Sequence, residues 1–146
     1  MNAEPRRRRR IPDAFYYRSL FILANLFVAA AACVPGQGIP EIVASLNDKL
    51  LHALQYAVFF GLTVKALGTY SEHSALRLLR GPLAMGWSLA AGILTELLQT
   101  QVPGRRADPA DAAANAAGIL TGYLLWRLIS RRKKNSPALR GLRGNI

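Results

Sequence analysis

Asp48, Lys49, His52 and Tyr56, then Glu96 and Gln99, then Arg105, Asp108, Asp111 and Asn115 are the residues whose chemistry stands out from an apolar background. Each group sits at one end of a hydrophobic stretch. Charged groups at bilayer depth are costly, so they face a partner or a wet cavity. Their types suit several kinds of chemistry. An imidazole at His52 with the Asp48 carboxylate can form a base and its orienting partner. Glu96 and Asp111 can supply an acid and a base, so His52, Glu96 and Asp111 are the candidate catalytic residues. Arg105 can clamp a phosphate, and Asp48, Lys49, Tyr56, Gln99, Asp108 and Asn115 complete the candidate binding set. Asp48, His52, Glu96 and Asp111 would also suit a hard divalent metal, but the sequence does not demand one, and no metal or cofactor is assigned. There is no nucleophile motif, phosphate-cradling glycine loop or cofactor fingerprint.

Spacing gathers these residues onto helix faces. Asp48, His52 and Tyr56 recur every four residues, and Gly92, Glu96 and Gln99 share a face in the same way. Asp108, Asp111, Asn115, Gly118 and Gly122 follow by steps of three and four. Several have plain structural explanations. Asp108 before Pro109 suits a helix N-cap, with Asp111 completing a capping-box-like pattern. Asp48 favours the positive end of a helix dipole, and Lys49 can snorkel outwards. Gln99 and Asn115 can act as hydrogen-bond glue between helices, and Gly118 with Gly122 reads as a helix-packing surface. Glu96 and His52 resist such an account, because a carboxylate a turn and a half inside a span needs Arg105, His52 or Lys49 nearby, or a proton. His73, beside Glu72 and Ser74, reads as solvated.

The elements that must carry these faces are four spans, since roughly 20 apolar residues cross the hydrocarbon core. They are expected at about Tyr17 to Val34, Asp48 to Leu67, Pro82 to Thr100 and Pro109 to Ile129. Pro82 and Pro109 are expected at first helical positions, where a missing N–H is harmless. With four spans, sixteen of the nineteen Lys and Arg residues fall on the side of the termini and the middle loop. Only Lys49, Arg105 and Arg106 fall opposite, so the positive-inside rule places both termini in the cytoplasm. Taking 1.5 Å of rise per residue, His52, Glu96 and Asn115 lie roughly 6–9 Å from the far ends of their helices. The polar groups then share one depth on the extracytoplasmic side.

The expected fold is therefore all-α: a polytopic membrane protein with a four-transmembrane-helix bundle, N-in and C-in. Residues 1–16 read as a basic cytoplasmic tail, 17–130 as the membrane domain and 131–146 as a second basic tail. A formal net charge of +11 raises the question of nucleic acid. The aromatics sit in or beside apolar segments, where they cannot serve as base-stacking platforms, so no nucleic-acid partner is expected. Anionic phospholipid is the expected partner of the basic tails. The single Cys33 excludes an intramolecular disulfide. A basic head, a short apolar run and Ala30-Ala31-Ala32-Cys33 also resemble a signal peptide, but the apolar length favours an uncleaved first helix.

The stretch DKLLHALQY resembles the D-K-x-x-H-x-x-x-Y signature of the VanZ-like membrane protein family, and ELLQTQVPGRRADPADAAANAAG resembles its E-x-x-Q…P-G-R-x-x-D-x-x-D-x-x-x-N-x-x-G signature. Asp48, Lys49, His52, Tyr56, Glu96, Gln99, Arg105, Asp108, Asp111, Asn115 and Gly118 keep register with it. Arg106 doubles the arginine, and the arginine run from Arg6 to Arg10 lies outside the pattern. The resemblance implies a small bacterial inner-membrane protein tied to the cell envelope. Three classes of function remain open: binding of an anionic lipid headgroup or lipid-linked cell-wall precursor, an enzyme (hydrolase or transferase) acting on that lipid, and a structural or accessory role.

Overall fold

A computed structural model describes residues 11–35, 47–70 and 74–134. Four helices make up the described chain: α1 (Ile11–Ala32), α2 (Asp48–Thr69), α3 (Ser74–Gln99) and α4 (Pro109–Lys134). Helix α2 starts where Asn47 accepts from the Leu50 N–H at 3.2 Å, an N-cap in extended conformation. Asp108 does the same for α4, accepting from the Ala110 N–H at 2.8 Å. Between α3 and α4 the chain turns through Gly104 at φ 77°, a left-handed value that glycine adopts without steric cost.

Windows long and apolar enough to cross a bilayer occur in three helices: Asp13–Ala32 in α1, Asp48–Thr69 in α2 and Leu78–Gln99 in α3. Three such helices point to a multi-pass membrane protein. Helix α4 equals α3 in length but is less apolar, being rich in alanine and glycine and ending in Arg131, Arg132, Lys133 and Lys134. The expected start of the third span needs correction. Pro82 lies inside α3 rather than at its beginning, because the helix already runs from Ser74. Proline at that position forfeits the bond to the Leu78 carbonyl. Helix-forming Leu and Arg residues flank it on the N-terminal side, and a single lost bond does not end the helix. His73 lies outside the described residues, as do most of the two tails.

Helices adjacent in sequence run antiparallel, whereas α2 and α4 run parallel and share the most extensive contact, and burial follows the helical period. In α3 the buried positions are Gly81, Ala84, Ser88, Gly92, Thr95, Glu96 and Gln99; in α4 they include Asp111, Asn115, Gly118, Ile119 and Gly122. Tyr56, Phe59, Phe60 and Val64 of α2 meet these faces, with Val28 of α1 closing the core. Leu23, Phe27, Val58, Leu78 and Ile93 are exposed, which leaves the outer faces apolar and suited to lipid contact.

At one end, cations meet aromatics. The Arg18 guanidinium lies 3.9 Å from the Tyr70 ring centre and donates from Nε to Thr69 Oγ1 at 3.1 Å. Lys65 lies over Tyr17 and Arg80 over Trp126. The residues singled out for chemistry gather at the other end.

Candidate functional site: a polar network at one end of the bundle

Close approach of α2 and α4 builds the first half of the site. A Cβ placed on Gly118 would fall 2.1 Å from the Ala53 carbonyl oxygen, and one on Gly122 would fall 2.9 Å from that of Ala57. Glycine is therefore required at Gly118, as expected of a small-residue packing face. This contact brings Lys49 across to α4. Its ammonium donates to Asp108 Oδ2 at 2.7 Å and to Asp111 Oδ1, and lies 3.8 Å from Asp48 Oδ2. Lys49 does not snorkel away from the bundle. Asp111 is buried, and a buried carboxylate draws the nearest cation inwards. The same pull explains why Asp111 does not complete a capping box.

The Lys49 ammonium, helped by the Ala110 N–H, holds the Asp108 carboxyl below its ordinary value of 3.8. A carboxyl with a lowered folded-state value adds stability that is complete above the ordinary value and lost as pH falls through the lowered one. The expected result is a carboxyl carbon resonance for Asp108 that titrates below pH 3.8 in the intact protein. In Lys49→Met it should titrate closer to that ordinary value. Unchanged midpoints in the two proteins would contradict the ion pair.

The second half is a chain of hydrogen bonds through Asn115, which is 2 % exposed. Its Nδ2 donates to Glu96 Oε1 at 3.4 Å, and its Oδ1 faces His52 Nδ1 at 2.9 Å. With the Asn115 amide nitrogen on Glu96, its oxygen faces His52, and an amide oxygen can only accept. Nδ1 of His52 is then the protonated ring nitrogen. Asn115, rather than Asp48, orients the imidazole. Nε2 points towards Asp48 Oδ1 and Asp111 Oδ2, each 3.8 Å away and beyond hydrogen-bond reach. Glu96 Oε2 is buried with no partner among the described residues. Glu96 is thus tied to Asn115, and of the two expectations for it, a nearby cation or a proton, no ion pair is present among the described residues.

Tyr56 donates to Thr95 Oγ1 at 2.7 Å, since the Thr95 hydroxyl proton is already given to the Gly92 carbonyl at 2.8 Å. A cavity of about 230 Å³ opens beside this group. Asp48, His52, Gln55, Gln99 and Arg105 line it on the polar side, and Val28, Ala31, Ala32 and Val34 of α1 and the turn after it line the apolar side. The network thus joins Asp48, Lys49, His52, Glu96, Asp108, Asp111 and Asn115. Gln99 and Arg105 stand in the cavity, with Tyr56 and Thr95 beneath. Thr95 and Gln55 are the members that sequence reasoning missed. The signal for Thr95 was its place three residues after Gly92, on the same buried face.

A larger cavity of about 650 Å³ lies at the basic end, where Lys65, Arg80, Tyr17 and Trp126 are among its walls. No protein-family model, curated protein or solved structure matches the chain.

Proposed function

We propose that this is a VanZ-like inner-membrane protein of a bacterium, with four spans and both termini in the cytoplasm. On that reading its polar end binds an anionic lipid headgroup or lipid-linked cell-envelope precursor. The observation that carries it is the cavity at that end. Arg105 and Gln99 stand on one wall and Val28, Ala31 and Val34 on another, which suits a molecule with a phosphate head and an apolar tail. The basic end has the character expected of a cytoplasmic face, where Lys65, Arg80 and the tails meet anionic phospholipid.

One observation favours a second reading, a hydrolase or transferase acting on the same lipid. His52 is held by Asn115 with its other nitrogen directed at two carboxylates, an arrangement that can take up or release a proton. A purely structural role would use the same network as a polar lock.

Reporters fused after Thr69 and Ile146 are expected to read cytoplasmic, and those after Pro40 and Gly104 extracytoplasmic. A cytoplasmic reading at Gly104 would remove the polar end from the envelope side. Native mass spectrometry of the chain in mild detergent is expected to find a co-purified phospholipid or lipid-linked phosphate. Arg105→Ala should lose most of that bound lipid while the amount of inserted protein stays the same. Equal lipid occupancy in both proteins would leave only the structural reading. Conversion of the bound lipid on incubation would separate the enzyme from the binder.

A further inference from the structure

Among the described residues, Asp48, His52 and Asp111 each offer one ligand atom, and the three atoms lie within 4.8 Å of one another. We propose that they form a binding site for a borderline divalent metal ion of the Zn²⁺ type, facing the headgroup cavity. The distances carry the first part of the argument. His52 Nε2 stands 3.8 Å from Asp48 Oδ1 and 3.8 Å from Asp111 Oδ2. These separations are too long for hydrogen bonds, yet close to the edge of about 3.4 Å between ligands that each sit about 2.1 Å from a tetrahedral metal. A point roughly 2.2–2.5 Å from all three atoms lies among them, so only small side-chain movements are needed to reach bonding distance.

The tautomer carries the second part. Asn115 Oδ1 takes the Nδ1 proton and leaves the Nε2 lone pair facing two carboxylates. Lys49 meets the far oxygens of the two carboxylates, so the oxygens that face Nε2 converge with a lone pair and have no cation of their own. An imidazole whose far nitrogen donates to a neighbouring oxygen is the usual arrangement of a metal-bound histidine.

Lys49 completes the support. It binds Asp111 through Oδ1 and approaches Asp48 at Oδ2, which leaves the other oxygen of each carboxylate for the ion. Asp48, Asp108 and Asp111 against Lys49 amount to a formal charge of −2, the charge a divalent ion neutralises.

Gln99, which is 5 % exposed, and Arg105 line the same cavity as Asp48 and His52, so polar side chains outside the ligand set share the space beside the ion. With three protein ligands the ion keeps at least one open position, as in sites that bind or activate a further molecule. A phosphate oxygen there would share the cavity with Arg105, which reconciles an anionic headgroup with a cluster of carboxylates. This last step rests on the lipid-binding reading above; the metal site itself does not.

The test uses the full chain in detergent after chelator treatment, on a Cys33→Ser background, titrated calorimetrically with Zn²⁺ alone. One ion per chain is expected. Asp48→Asn should weaken binding at least about tenfold, and it is the variant least able to disturb folding because Asp48 is exposed. His52→Gln should act in the same direction. Asp13→Asn, at the opposite end, should leave affinity unchanged. Co²⁺ in place of Zn²⁺ should give the intense visible bands of a four-coordinate ion, lost in Asp48→Asn. Arg105→Ala should keep the metal while losing lipid, so failure of the lipid reading and failure of the metal site give different results. Absence of stoichiometric binding, or equal affinity in Asp48→Asn and His52→Gln, would overturn the proposal.

Discussion

Gly118→Ala is expected to destabilise the fold by about 3 kcal/mol or more, at the upper end of the usual cost of overpacking. The added methyl would lie 2.1 Å from the Ala53 carbonyl oxygen and within 3 Å of two further backbone atoms. Backbone cannot rotate aside as a side chain can, so α2 and α4 would have to separate along the seam that aligns Lys49 with Asp111. Gly122→Ala should be milder. Its nearest atom is at 2.9 Å, and its next is the edge of the Phe60 ring at 3.1 Å. Gly86→Ala is the control, because nothing lies within 4 Å of a Cβ there. Replacing a helix-interior glycine at such a site should gain about 0.5–1 kcal/mol. Unfolding followed by circular dichroism in mixed micelles orders the three. Equal stability of Gly118→Ala and Gly86→Ala would show that the helices do not approach as closely as described.

That seam was legible in the sequence because glycines at steps of four mean little except close packing. The polar faces were legible for a related reason. Asp48, His52 and Tyr56 on one helix, and Asp111, Asn115 and Gly118 on another, repeat at the helical period in an apolar setting where each polar residue must find company. The apolar character of α1, α2 and α3 could also be read directly.

What could not be read was which polar atom takes which partner. Lys49 has a long stem that reaches water or a neighbouring helix equally well, and only the burial of Asp111 decides between them. Spacing placed Asp48 one turn from His52, while Asn115 was expected only at a similar depth on another helix. Asn115 takes the ring because the α2–α4 contact brings it opposite, while Asp48 stays exposed one turn away. Pro82 carried a misleading signal. Glycine before proline is typical of a helix start, yet the residues before Gly81 are themselves good helix formers. Gly81 has a different role, because a Cβ there would fall 2.5 Å from the Trp126 ring. The apolar wall that α1 gives to the cavity left no trace in sequence, since Val28, Ala31 and Ala32 look like any lipid-facing run.

Asn115→Ala is expected to cost about 2–6 kcal/mol, because one side chain serves the buried Glu96 carboxyl and the half-buried His52 ring at once. Its removal leaves the His52 Nδ1–H and Glu96 Oε1 without partners, and each such loss costs about 1–3 kcal/mol. Glu96 Oε2 already lacks a partner, so the carboxylate would lose its last described hydrogen bond. Glu96→Gln should be mild by comparison. A glutamine oxygen still accepts from Asn115 Nδ2, and the shape of the side chain is kept. The double variant Glu96→Ala with Asn115→Ala decides whether the two residues act together. If Asn115 serves Glu96, the double variant should lose less than the two single losses combined, with a coupling of about 1 kcal/mol or more. Additive losses would mean that Asn115 acts through His52 alone. A wild-type stability for Asn115→Ala would remove the network as an organising feature of this end of the bundle. Lipid occupancy measured on the same samples then separates the two roles. A polar lock predicts occupancy that falls only with stability, whereas a binding site predicts loss in Arg105→Ala with stability intact.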